Sequence, residues 1–216
     1  MYKRFFKRLL DIVLSIMGIV CASWLFLIII IAMEIDDPGP VIFSQKRVGR
    51  GKSHFKLYKF RSMKTSTPHD VPTHLLADPE KYITKVGRFL RRTSLDELPQ
   101  LINILKGDMS IVGPRPALWN QYDLISERDK YGANDMRPGL TGWAQINGRD
   151  ELEIPVKAKL DGVYASKLGK GGFRAFFFDC RCVLGTVFSV ARGDGVVEGG
   201  TGELHRQEAE NKDKEA

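Results

Sequence analysis

The stretch "IVLSIMGIVCASWLFLIIIIAM", residues Ile12 to Met33, decides the architecture of this 216-residue chain. It runs for 22 residues without a charge. At about 1.5 Å per residue it would extend roughly 33 Å as a helix, enough to cross the ~30 Å hydrocarbon core of a bilayer. A signal peptide has a shorter apolar region and a small-residue cleavage site, so the segment reads as a resident membrane helix. Lys3, Arg4, Lys7 and Arg8 precede it, and Lys46, Arg47, Arg50, Lys52, Lys56, Lys59, Arg61 and Lys64 follow. By the positive-inside rule both ends prefer the cytoplasm. A helix that bends and returns satisfies both ends, provided its backbone is hydrogen-bonded at the bend. A straight span that translocates the short N-terminus is the alternative, and flank charge alone leaves both open.

Charge and cysteine narrow the partners. The net charge is +7, yet residues 1–192 hold thirty bases against nineteen acids, while Gly193–Ala216 holds three against seven. A basic body implies an anionic partner: nucleic acid, phospholipid headgroups or phosphorylated metabolites. The acidic, Gly-rich end has the composition of a disordered tail. Cys180 and Cys182 are too close for an ordinary disulfide, Cys21 lies in the apolar run, and no Cys or His spacing suggests zinc. The expected organisation is a membrane helix over 1–36, a catalytic domain over 37–192 and a tail over 193–216.

Between helix and tail, "PGPVIFSQKRVGRGKSHFKLYKFRSM" predicts a β-hairpin with Gly49 and Gly51 in its connection. "GKS" at Gly51–Ser53 is no P-loop, because Lys46 stands where that motif needs glycine. Residues 65–80 form a polar, proline-bearing loop. Basic "KYITKVGRFLRR", Leu98 to Leu105 (stopped at Gly107), "VKAKLDGVYASKL" and "GFRAFFFDCRCVLGTVFSVARG" predict helices. The last, with Phe173, Phe176, Phe177 and Phe178 beside Arg174, Arg181 and Arg192, reads as an interfacial amphipathic helix, with a buried core helix as the alternative and Asp179 awkward in either. The fold class is α/β (α+β): a compact, mostly helical cytosolic domain with a small hairpin behind a membrane-embedded helix.

Chemistry concentrates in "RRTSLDELPQL", residues 91–101. Ser94 and Glu97 fit a capping box. Pro99 suits a helix that starts nearer Asp96, which would leave both carboxylates at a helix mouth, where anionic groups gather. Adjacent carboxylates can hold a divalent cation, and one can attack phosphorus. In "GPRPA", prolines on both sides of Arg115 stiffen its backbone and present a fork that suits phosphate. "RPGLTGWAQINGR" adds Arg137, Trp143, Gln145, Arg149 and an Asn147-Gly148 hairpin-turn signal. Trp143 is more often core than ligand platform.

Taken together, "LDELPQLINILKGDMSIVGPRP", "RPGLTGWAQINGR", "VIFSQKRVG" and "FKLYKFRSM" resemble the bacterial sugar transferase family, the small monotopic phosphoglycosyl transferases. The likeness runs from about residue 3 to about residue 190. It implies transfer of a sugar-1-phosphate from a nucleoside-diphosphate sugar, expected to be a UDP-sugar, to a polyprenyl phosphate such as undecaprenyl phosphate, releasing UMP. It further implies Mg²⁺, an aspartyl-phosphosugar intermediate, and a place at the cytoplasmic face of the bacterial inner membrane, at the first membrane step of an exopolysaccharide or glycoconjugate route. Carried over by position, Asp96 becomes nucleophile and metal ligand, and Glu97 its catalytic partner. Arg91, Arg92 and Mg²⁺ keep Asp96 ionised; Arg91 and Arg115 bind phosphate, with help from Lys59 or Arg61. Arg137, Gln145 and Arg149 fall on the nucleotide side. Asp161 and Tyr164 fit a family D-x-x-Y pattern without a role. Relatives commonly carry Ser-Pro midway through the membrane helix; Trp24 follows Ser23 here, so a re-entrant break would rest on Ser23, Gly18 and packing. Phospholipid is an expected partner and a homodimer is left open. Nucleic acid is not expected, because no helix-turn-helix or aromatic-basic module is present. The rival reading is a non-catalytic membrane scaffold in which Asp96–Glu97 only caps a helix.

Overall fold

A computed structural model of the chain describes residues 2–67, 79–148 and 152–192. Most of the polar loop over 65–80, Arg149 and the tail over 193–216 lie outside the described residues.

A π-helical turn, Tyr2–Phe6, leads into α1, Lys7–Asp36. At about 1.5 Å per residue, thirty residues make α1 roughly 45 Å long. It passes without interruption through Gly18 and Ser23, the positions on which a re-entrant break would rest. The reason is chemical: without proline at 24 no backbone donor is lost. The Ser23 hydroxyl donates to the Val20 carbonyl at 2.8 Å, a local bond that bends helices without ending them.

α1 buries a narrow strip: Lys7, Asp11, Ser15, Ile29 and Met33. Gly18 belongs to the same face, where an added Cβ would lie 3.1 Å from Leu101. The opposite face exposes large apolar side chains, with Trp24 63 % and Ile35 79 % accessible. Such a face suits lipid rather than water.

The hairpin is present as expected. β1, Ile42–Val48, pairs antiparallel with β2, His54–Phe60, Phe43 opposite Lys59. α2, Lys85–Arg92, is capped by the Thr84 hydroxyl accepting from the Gly87 N–H. Its last residues turn into a 3₁₀ turn, Leu95–Glu97, followed by α3, Gln100–Lys106, which stops at left-handed Gly107. The short strands β3, Ser110–Val112, and β4, Gly139–Thr141, form a parallel pair absent from the sequence expectation. Between them runs α4, Tyr122–Asp129, also unforeseen. The Asn147-Gly148 hairpin turn does not form; Gln145–Asn147 is a 3₁₀ turn leading towards α5, Ile154–Lys170. The final helix is α6, Gly172–Arg192. The architecture is thus α+β, mostly helical with two small sheets.

Both ends of α1 are fastened to this same body. At its start Lys7 pairs with Asp179 of α6 at 2.9 Å, Arg8 donates to the Ile104 and Leu105 carbonyls of α3, and Asp11 accepts from Ser110 and Ile111 of β3. At its end Asp36 accepts from the Val86 N–H of α2, and Asp37 forms a close ion pair with Arg61 beyond β2. Between these ties, Ile29 and Met33 pack with Phe60 and Leu90. α3 fills the centre, with Leu101 and Ile104 against Leu57 and Met109. Its Asn103, fully buried, accepts from the Tyr58 N–H and donates to the Lys56 carbonyl. That fixes α3 against β2 one residue before Lys59.

Candidate active site

Asp96 and Glu97 sit on the 3₁₀ turn ahead of α3, which places them beside β2. Ser94 adopts a left-handed backbone with φ of 56° and makes no side-chain cap bond, so the capping box does not form. Pro99 takes the N-cap position of α3 instead, where its missing N–H costs nothing. The Ser94 half of the box is therefore missing, and the Glu97 carboxylate faces Lys59 and Arg115.

They are held by cations from two other elements. The Lys59 ammonium, near the end of β2, lies 2.9 Å from Glu97 Oε1 and 3.3 Å from Asp96 Oδ2. Arg115 Nη2 approaches the same Glu97 oxygen at 3.0 Å. Asp96 and Glu97 are each only 7 % accessible, while Lys59 and Arg115 are partly open. Asp96 uses Oδ2 alone; its Oδ1 has no partner among the described residues. The result is a buried acid pair under two half-exposed cations, with one carboxylate oxygen uncommitted.

Asp96 was expected to be kept ionised by the arginines before it. Instead, burial pushes its carboxyl above the usual carboxylate range; Lys59 pulls it down, and the neighbouring Glu97 charge pushes it up again. Desolvation wins because the turn is packed under the hairpin. The contacting cation is Lys59; the Arg91 Nε is spent on the Ser62 hydroxyl at 2.7 Å.

The other expected residues separate. Arg61 is committed to the end of α1, donating to Asp37 and to the Pro40 and Met63 carbonyls. Gln145 donates to the Leu140 carbonyl, while its own buried carbonyl oxygen has no partner among the described residues. Arg137 donates to the Gly107 carbonyl at the far end of α3, about 10 Å of helix from the carboxylates. Asp161 forms a buried ion pair with Arg128 at 2.6 Å, and the Tyr164 hydroxyl lies 2.9 Å from both the Val112 carbonyl and Asp179 Oδ1, its one proton shared between them. Both are structural ties. Trp143 is core-like, packed on Phe178 under Arg181.

The loop carrying Arg115 is stiffer than its prolines alone would make it. Arg47 of β1 donates to the Pro116 carbonyl at 3.1 Å and to Gln45 at 2.7 Å; Val48 and Gly139 tie the Ala117 and Pro114 carbonyls. A Cβ on Gly113 would lie 2.4 Å from the Arg137 carbonyl, so the strand can pass only as glycine. Gln45 and Arg47 lay within the "FSQKRVG" stretch but carried no chemical signature of their own.

Among the described residues no third carboxylate, histidine or cysteine joins Asp96 and Glu97. The donor set suits a hard cation such as Mg²⁺, which commonly takes one or two carboxylates and completes its shell with water and substrate phosphate.

A family model described as bacterial sugar transferase matches residues 2–193. An uncharacterized sugar transferase, EpsL, of Bacillus subtilis (strain 168) is 40 % identical over 190 residues, covering 88 % of this chain and 89 % of that protein. The exopolysaccharide production protein PSS of Rhizobium leguminosarum bv. phaseoli is 38 % identical, over 88 % of this chain and 97 % of its own length. The UDP-glucose:undecaprenyl-phosphate glucose-1-phosphate transferase of Escherichia coli (strain K12) is 42 % identical over 86 % of this chain. This chain spans 40 % of that longer enzyme.

Proposed function

The chain belongs to the bacterial sugar transferase family, and from that premise we propose that it transfers a sugar-1-phosphate from a UDP-sugar to undecaprenyl phosphate. The observation that carries this reading is the Asp96–Glu97 pair bridged by Lys59 and Arg115, with Asp96 Oδ1 uncommitted. A scaffold has no use for two buried carboxylates gathered under cations from two other elements.

Asp96 Oδ1 attacks the β-phosphorus of the UDP-sugar. The bond from phosphorus to the bridging oxygen breaks, and its electron pair leaves with UMP. An oxygen of undecaprenyl phosphate then attacks the same phosphorus, Asp96 is released, and undecaprenyl-diphosphate-sugar forms. Two displacements let one site serve a soluble and a membrane-bound substrate in turn. Lys59 lowers the energy of ionised Asp96 and, with Arg115, offsets charge on the diphosphate. Glu97 holds both cations at the required place. A Mg²⁺ bound by Asp96, Glu97 and the substrate would neutralise developing phosphate charge. Arg91, at the end of α2, and Arg149 remain phosphate-side candidates.

Geometry supports a one-sided membrane placement. A straight span would put the two ends of α1 on opposite faces, yet both ends are fastened to the body that carries the carboxylates. We place α1 embedded in the cytoplasmic leaflet with both ends facing the cytoplasm. α6 lies at the interface through exposed Phe173, Phe177, Leu184 and Phe188.

The test is release of UMP from a panel of UDP-sugars by membranes containing the expressed chain, with and without undecaprenyl phosphate. Turnover that needs the lipid phosphate supports the reading; no release from any donor counts against it. Excess EDTA is expected to stop turnover and added Mg²⁺ to restore it.

A further inference from the structure

Arg137 and Arg8 meet at the end of α3 opposite the carboxylates. Arg137 Nε donates to the Gly107 carbonyl at 3.1 Å, and Arg8 Nη2 lies 3.6 Å from where a Cβ on Gly107 would be. Arg8 spends one N–H of each terminal nitrogen on the Ile104 and Leu105 carbonyls. The negative end of a helix dipole explains why two guanidiniums gather there. It does not explain a third. Arg50, at the hairpin tip, donates to the Asp135 carbonyl at 3.2 Å, two residues before Arg137; burial foremost, then the charges of Arg8 and Arg50, disfavour the charge of Arg137, while Asp11 favours it.

These three arginines bond only backbone carbonyls, and no carboxylate is paired with them among the described residues. The acidic groups nearby are otherwise engaged or stand apart. Asp11 accepts from Ser110 and Ile111, Asp108 accepts from Asn103, and Asp135 reaches Arg50 through its carbonyl. Arg137 has five N–H donors and uses one; its two terminal nitrogens have no partner among the described residues. A forked, desolvated cation flanked by two more, with Asp11 as its nearby counter-charge but no carboxylate bonded to it among the described residues, suits a tetrahedral oxyanion.

Position selects the kind. Arg8 lies in the first turn of α1, where Phe5, Phe6 and Leu9 are exposed. Apolar side chains for acyl chains and guanidiniums for phosphate therefore stand side by side. We infer that Arg8, Arg50 and Arg137 form a binding site for the phosphate of an anionic phospholipid at the foot of α1, separate from the catalytic carboxylates. It rests on the membrane placement proposed above.

The experiment is native mass spectrometry of the detergent-solubilised full chain, titrated with phosphatidylglycerol, phosphatidylcholine or inorganic phosphate. Phosphatidylglycerol is expected to bind in preference to phosphatidylcholine, and R137Q and R50Q each to weaken it roughly fivefold. K130Q, which removes an exposed cation on α4's far end, should leave it unchanged. Arg50 is exposed at a hairpin tip, so R50Q keeps the test open if R137Q fails to fold. Unaltered affinity in the soluble variants, or no preference over phosphatidylcholine, overturns the site. Inorganic phosphate held as well as the lipid overturns the lipid assignment. Transfer is scored separately: a chain inactive on every UDP-sugar that still selects phosphatidylglycerol would sink the proposed reaction and leave this site standing.

Discussion

Lys59 and Glu97 stand 2.9 Å apart, and the same ammonium reaches Asp96 at 3.3 Å. One cation from the hairpin thus serves two carboxylates that share a buried turn. Its removal should be felt in rate and in pH dependence together. Lys59→Met is expected to lower kcat/KM by about 10²–10³-fold, the range for losing one charge-stabilising donor. Without Lys59 the Asp96 carboxyl rises further, so the acidic limb of the pH–rate profile should move to higher pH. Lys59→Arg should restore part of the rate. A profile unmoved in Lys59→Met would remove the cation from the account of Asp96.

The raised Asp96 carboxyl also has a sign for stability. The folded state holds its proton more tightly than the unfolded chain, so stability falls as pH rises from the ordinary carboxylate value through the folded one. Above that window ionised Asp96 is a standing cost. Asp96→Asn should therefore be inactive yet melt higher than wild type at pH 7, with the gap closing towards pH 4. Thermal melts at both values measure it; a wider gap at pH 4 would contradict the sign.

Asn103 should matter for shape rather than chemistry. Truncation to alanine leaves the Tyr58 N–H and the Lys56 carbonyl without their buried partner. An unfolding free energy lower by about 2–3 kcal/mol is expected from denaturant titration. Activity should fall as well, because Lys59 follows directly on the strand that Asn103 holds.

Topology is open to labelling. Lys3→Cys and Lys46→Cys lie before and after α1, both at exposed positions. With a membrane-impermeant maleimide, neither should gain label over the parent chain in intact cells, and both should in inside-out vesicles. Outside labelling at position 3 alone would establish a straight span.

The sequence made some levels of this structure plain and hid others. The long apolar helix and the hairpin were readable because an uncharged run and a pair of β-rich segments are local signals. Asp96 and Glu97 were readable as a pair, since Pro99 argued against a simple cap. Which cation touches them was not: Lys59 comes from 37 residues away, and only the packing of α3 on β2 brings it there. Arg61 and Arg137 looked equivalent to it by charge, yet one ties down α1 and the other lies at the opposite end of α3. The parallel β3–β4 pair escaped because three-residue strands carry no periodicity. The uninterrupted course of α1 follows from one residue, Trp24, in the place of a proline.

The covalent step is tested most directly by mass spectrometry of the enzyme trapped with a UDP-sugar in the absence of undecaprenyl phosphate. The mechanism predicts a sugar-phosphate adduct on the peptide containing Asp96, lost on adding the lipid acceptor and absent from Asp96→Asn. An adduct on another residue, or full turnover by Asp96→Asn, would contradict it.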